Sequence, residues 1–169
     1  MFEFRPLTPE AIPRALAKAE RYRLLNEPEE AESICEDILR VDPGNHEAIV
    51  TLLLALTDGF HPGASGNLNR ARELLPRMND AYERTYYEGI ICERWAKAQH
   101  RAHRSSPFVH NGIREAMRFY EKAEEISPPG NDDAVLRWNA CARYLEKNEH
   151  LKPEDVSSEA GFGDEVPPR

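Results

Sequence analysis

His100, His103 and His110, together with Cys35, Cys92 and Cys141, are the residues whose types and spacing could support chemistry. His100 and His103 stand one turn apart in "KAQHRAHR", and with a fourth ligand the three histidines could hold zinc, which takes nitrogen and sulfur donors in a tetrahedron. The competing reading is a basic, solvated helix end whose cations suit the negative end of the helix dipole. Structural zinc calls for a quartet at regular spacing, which the sequence does not offer, so no metal site is expected. Cys92 lies beside Glu93 and Arg94, and Cys141 near Arg143. Such cations lower a thiol's pKa and raise its reactivity. All three cysteines nevertheless sit far apart inside helix-patterned segments, and a small apolar core filler is the competing reading. The chain lacks a phosphate loop with its lysine, a G-x-S-x-G elbow and an H-E-x-x-H pair. Its carboxylates gather in runs such as "NEPEEAE" and "EKAEE", which read as solvated helix faces. No catalytic constellation and no cofactor are expected. An enzyme or metal protein using His100, His103 and a thiol is the alternative from a different class.

At 169 residues the chain suffices for one domain with a real core. A net charge of -8 argues against nucleic acid as a partner, because phosphate recognition needs a basic face. The longest apolar run, "IVTLLLAL" at 49–56, is far short of the roughly 20 residues that span a bilayer. The opening "MFEFRPLTPE" lacks the basic and apolar regions of an export signal. Three widely spaced cysteines fit a reducing compartment, and a cytoplasmic location is expected.

Helical patterning covers nearly everything before residue 148, and no stretch alternates as a strand would. Thr8-Pro9-Glu10 is a start signal, with Thr8 as cap and Pro9 in the first turn. "NEPEEA" is a second, and its helix ends at "DPGN", after which Asn45 caps a third helix. "DGFHPGASGN" at 58–67 reads as a loop, followed by a short helix from Leu68 to about Leu75. Asn79 or Asp80 caps a long helix reaching about His103, and "RSSPFVHNG" reads as a further loop. Helix is expected again over 113–126 and 132–147. The fold class is therefore all-α. Residues 148–169 combine acids, prolines and glycines with few apolar side chains, which predicts a mobile acidic tail after a helical domain spanning 1–147.

One spacing occurs twice. Ala31, Cys35, Ile38 and Pro43 stand at the same intervals as Ala116, Tyr120, Ala123 and Pro128. First-helix echoes accompany them in Ala15-x2-Lys18-Ala19-x2-Tyr22, in Ile49-x2-Leu52-Leu53-x2-Leu56, and in Trp138-x2-Cys141-Ala142-x2-Leu145. This pattern resembles the tetratricopeptide repeat, a helix hairpin of about 34 residues in which small side chains let helices nest beside bulky ones. Gly89 in "YYEGIICERW" looks like the small contact residue of a third first helix. Ala71-x3-Leu75-x2-Met78 fits a second half that lacks its closing proline, and the interval is stretched at 58–67 and at 97–112. The resemblance spans residues 8–147 and implies an α-solenoid of about three degenerate hairpins with a C-terminal capping helix.

The family uses the first helix of each pair to line a groove for peptides or helices of partner proteins. Carried over by register, the resemblance places Leu16, Glu20 and Arg23 there from the first repeat, and Val50, Leu54 and Thr57 from the second. Tyr86, Ile90, Glu93 and Arg94 would come from the third. Val50, Leu54 and Ile90 equally suit a core beneath the inserted helix. One subgroup of the family grips a partner's terminal carboxylate with lysines and asparagines; Glu20 stands where a key asparagine would be, so an apolar or amphipathic segment is the expected ligand. The implied function is a non-catalytic interaction scaffold or adaptor, with a small acidic chaperone of the secretion type as the runner-up. Exposed apolar ends of such a stack would let two copies pair as a homodimer unless the final helix covers them. Phe162 and Val166 among the tail's acids suggest a short binding motif, for the protein's own groove or for a partner, beside the plainer reading of a solvated end.

Overall fold

The computed structural model describes residues 3–63 and 65–153. Among the described residues the chain forms seven α-helices and no strand: α1 (Ile12–Leu24), α2 (Pro28–Val41), α3 (His46–Asp58), α4 (Ser65–Leu74), α5 (Ala81–Arg101), α6 (Ser106–Glu125) and α7 (Asp133–Lys147). Short 3-10 turns precede α1 (Pro9–Ala11), follow α4 (Leu75–Arg77) and follow α7 (Glu149–Leu151). Among the described residues no helix is long and apolar enough to cross a membrane.

Local chemistry explains most boundaries. The Asn45 side chain accepts a hydrogen bond from the Ala48 N–H at 3.0 Å, and the Asp80 side chain accepts from the Tyr82 N–H at 2.7 Å, so α3 and α5 are both capped. Thr8 is different. It stands before the 3-10 turn but makes no side-chain cap bond, and Pro9 and Glu10 supply the start signal alone. Between α1 and α2, Asn26 takes a left-handed conformation with φ 60°, one of few residue types that tolerates it, and Pro28 opens α2.

Two expectations need correction. "RSSPFVHNG" is not a loop, because α6 begins at Ser106 with Pro107 in its first turn and Val109 buried. "ASGN" likewise belongs partly to α4, which starts at Ser65. In both places a glycine or proline gives the first turn of a helix the composition of a loop. The C-terminal boundary also moves. Leu151 is buried in the 3-10 turn after α7, so packed structure continues beyond residue 148. Residues 154–169, with Phe162 and Val166, lie outside the described residues.

Neighbours in the chain are neighbours in space. Each helix packs on the next, with the slightest such contact between α4 and α5, and α1 also meets α3 while α3 meets α5. The twice-used spacing marks the buried faces: Ala31, Cys35 and Ile38 of α2 and Ala116, Tyr120 and Ala123 of α6 are all fully buried. Pro43 and Pro128 follow the ends of those same helices. One core cluster gathers Ala19, Cys35, Leu53, Leu56, Phe60 and Met78 under α1 to α4, reaching Ile91 of α5. A second joins Ile90, Ile113, Tyr120, Cys141 and Leu145 of α5, α6 and α7, and Leu54 touches both.

The α5–α6 pair makes the most extensive helix contact in the structure, and two glycines allow its close approach. A Cβ on Gly89 would stand 2.6 Å from Tyr120 Cε1, and one on Gly112 would stand 2.8 Å from Ala96 Cβ. Neither distance is tolerable for a carbon, so glycine at both positions sets the separation of the helices.

Candidate functional site

The C-terminal halves of α3 and α5 wall a charged cleft, and Arg23 of α1 is tied to its Asp58. Asp58 is the last residue of α3, where the helix dipole disfavours a carboxylate. Two arginines from other helices offset that. Arg23 of α1 donates to Asp58 Oδ2 at 2.8 Å, and Arg94 of α5 donates to Asp58 Oδ1 at 2.5 Å. Arg94 also donates to Thr57 Oγ1 at 2.7 Å and to the Leu54 carbonyl at 3.2 Å. Thr57 in turn donates its hydroxyl proton to the Leu54 carbonyl at 2.9 Å. Thr57, Asp58, Arg94, Lys97 and Arg101 wall an open cleft of about 230 Å³.

Beneath the cleft lies a buried carboxylate. Glu93 is 1 % exposed and accepts from the Tyr120 hydroxyl at 2.7 Å and from Lys97 Nζ at 2.5 Å, with Arg137 Nη1 of α7 at 3.6 Å. Burial works against its ionisation, but the hydrogen bonds from Lys97 and Tyr120 and the charges of Lys97 and Arg137 outweigh that, and the carboxyl is held below its ordinary pKa. Burial likewise works against the Arg94 charge; Asp58 favours it, Arg137 and Arg23 oppose it, and its pKa is lowered. Glu93 is thus an internal counter-ion tying α5 to α6 and α7. With so little exposed surface it has no access to a substrate.

The residues expected to line a groove divide into two groups. Leu16 packs with Ile38 and Ala48, Ile90 is fully buried in the second core cluster, and Thr57 and Glu93 are buried. These four offer little surface to a partner, because the helix face expected to be open is covered by its neighbours. Val50 and Leu54 are half-buried against the core, and Tyr86 lies among Tyr82, Tyr87 and Tyr120. Glu20 is exposed. Arg23 and Arg94 are brought together through Asp58. The sequence reading missed Asp58, Lys97, Arg101 and Arg137. Asp58 carried the one legible signal, a carboxylate at a helix C-terminus. A larger hollow of about 500 Å³ lies along α1, lined by Arg14, Ala17, Lys18, Arg21, Tyr22 and Leu25. Helical spacing puts that stripe on the side of α1 away from Arg23, and among the described residues no other helix walls it.

The reactive residues are dispersed. Among the described residues no group of three His, Cys, Asp or Glu side chains converges as a metal-binding set. His100 hydrogen-bonds through Nδ1 to the Tyr144 hydroxyl and lies 5.7 Å from the His150 ring, whereas His103 stands past the end of α5 in a left-handed conformation. All three thiols are free. Burial pushes Cys35 and Cys141 up to about 12 and Cys92 to about 11, where almost no thiolate exists near neutral pH. In the folded protein at pH 8, Cys35 and Cys141 are therefore expected to resist a thiol-specific disulfide reagent for as long as the fold holds. A colour assay should count all three only after denaturant is added; rapid labelling of Cys35 or Cys141 in buffer would contradict their burial.

No protein-family model matches this chain, and no curated protein and no solved structure is significantly similar to it.

Proposed function

We propose that this chain is a non-catalytic protein-interaction module, a short stack of tetratricopeptide-like hairpins that holds a segment of another protein across α1, α3 and α5. The observation that carries the reading is the open cleft between α3 and α5, walled by Asp58, Arg94, Lys97 and Arg101, with α1 joined to it through Arg23. The serial packing order, with α1 on α3 and α3 on α5 as well as each helix on the next, supports the stack. The full burial of the recurrent Ala31-Cys35-Ile38 and Ala116-Tyr120-Ala123 positions supports the repeat register. Raised thiol pKa values and dispersed histidines give a chemical role no support. The burial of Leu16 and Ile90 moves the expected contact from an apolar strip to a charged one.

Arg101→Glu reverses the charge of an exposed cleft residue, and Arg118→Glu does the same on α6, where Arg118 pairs only with Glu115 of its own helix among the described residues. A partner isolated with the wild-type chain should bind the first variant at least about tenfold more weakly, a difference of about 1.4 kcal/mol. It should bind the second as wild type does. Equal affinity for both variants would remove the cleft from the function.

A further inference from the structure

The cleft holds more positive charge than its own carboxylates balance. Arg23, Arg94, Lys97, Arg101 and Arg137 surround Asp58 and the buried Glu93, in a chain whose formal net charge is -8. Among the described residues no carboxylate stands within ion-pair distance of Arg101. Close cations raise one another's electrostatic cost, and an incoming anionic segment would lower it.

The chain itself carries such a segment close by. The 3-10 turn Glu149–Leu151 packs on α6 and α7, with Leu151 buried and the His150 ring 5.7 Å from that of His100. His100 adjoins Tyr144, and Lys97 Nζ lies 5.0 Å from the centre of the Tyr144 ring. His150, three residues before the end of the described backbone at Pro153, therefore lies beside the C-terminal end of α5, the half that supplies Lys97 and Arg101. Residues 154–169 follow, with Glu154, Asp155, Glu159, Asp164 and Glu165 set against Arg169 alone. Extended chain spans roughly 3.3–3.6 Å per residue, so residues 154–169 have a reach of roughly 50 Å.

We propose that residues 154–169 of this chain dock in the cationic cleft at the ends of α3 and α5, with their carboxylates against Lys97, Arg101 and Arg94. The occupant is tethered, which gives it an effective concentration on the order of millimolar and makes it a built-in competitor for any partner segment. This inference rests on the cleft being a segment-binding site, but its test needs no partner.

The test is amide chemical-shift mapping of the intact chain by NMR. The comparison chain carries Glu154→Gln, Asp155→Asn, Glu159→Gln, Asp164→Asn and Glu165→Gln, all within residues 154–169. The two chains should differ at residues 57–58 and 94–101. The difference should vanish in about 0.5 M salt, where screening is strong, and in the Arg101→Glu background. It should not change with protein concentration. Identical spectra would overturn the proposal, as would differences centred on Arg14, Lys18 and Arg21. Differences that grow with concentration would assign the cleft to the tail of a second copy and overturn the tethered arrangement. A partner bound in the cleft with no tail contact would sink this inference alone and leave the interaction reading standing.

Discussion

Glu93→Met is expected to destabilise the fold by about 3 kcal/mol, the lower end of the cost of breaking a buried ion pair. Methionine keeps most of the side-chain volume, so the loss comes from stranding the Tyr120 hydroxyl and the Lys97 and Arg137 cations. Lys97 and Arg137 remain 27 % and 33 % exposed and can regain some water, which keeps the cost from the upper end. Urea denaturation should show the midpoint falling with little change in slope. The pairing is also testable as a cycle. Tyr120→Phe removes the hydroxyl that Glu93 accepts from, so the double variant should cost less than the two single costs added. Full additivity would mean that the two groups do not act together. The same carboxylate sets a pH limit. Its folded pKa lies below the ordinary value of 4.5, so its contribution is complete above that value and fades as pH falls through the folded one. Glu93→Met should therefore lose less stability on acidification than wild type.

The second large effect concerns Gly89. Alanine in a helix ordinarily gains about 1 kcal/mol over glycine, but here its Cβ would stand 2.6 Å from Tyr120 Cε1 and 2.9 Å from Cδ1. That ring is fully buried and its hydroxyl is held by Glu93, so it has no free direction in which to swing. Overpacking of this kind costs about 1–3 kcal/mol and reverses the sign of the propensity. Gly89→Ala should lower the thermal midpoint by a few degrees, on a scale of about 2–4 °C per kcal/mol for a chain of this size. Gly89→Val adds two methyls and should cost more. A midpoint raised by alanine would mean that α5 and α6 are not so closely nested.

Gly89 also shows what kind of information the sequence carried. A glycine inside a helical pattern is unfavourable locally, so its presence announces a close neighbour. Asn45 and Asp80 were legible as caps for the same reason, since their partners lie two or three residues away. Glu93 was not legible. An acid four residues before Lys97 looks like any surface pair, and only Tyr120 and Arg137, brought in from α6 and α7, take it out of water. Leu16 and Ile90 illustrate the same limit for apolar residues. Helical periodicity gives the angle between side chains, but not which neighbouring helix covers a face. The start of α6 is hidden differently: Pro107 and Gly112 give its first turns the composition of a loop, whereas Pro107 suits a first turn and Gly112 admits Ala96. The groove residues inferred by register thus include the arginines of the cleft, Arg23 and Arg94, but not Asp58, the carboxylate that joins them.

The most direct measurement is site-specific photo-crosslinking of the intact chain in an extract of its native cells. A photoreactive residue would replace Arg101 in the cleft or Arg118 on α6. Apart from any intramolecular link to residues 154–169, the account predicts a single intermolecular adduct from position 101, mapping to one segment of one protein, and none from position 118. Adducts of equal yield from both positions, or from position 118 alone, would contradict it.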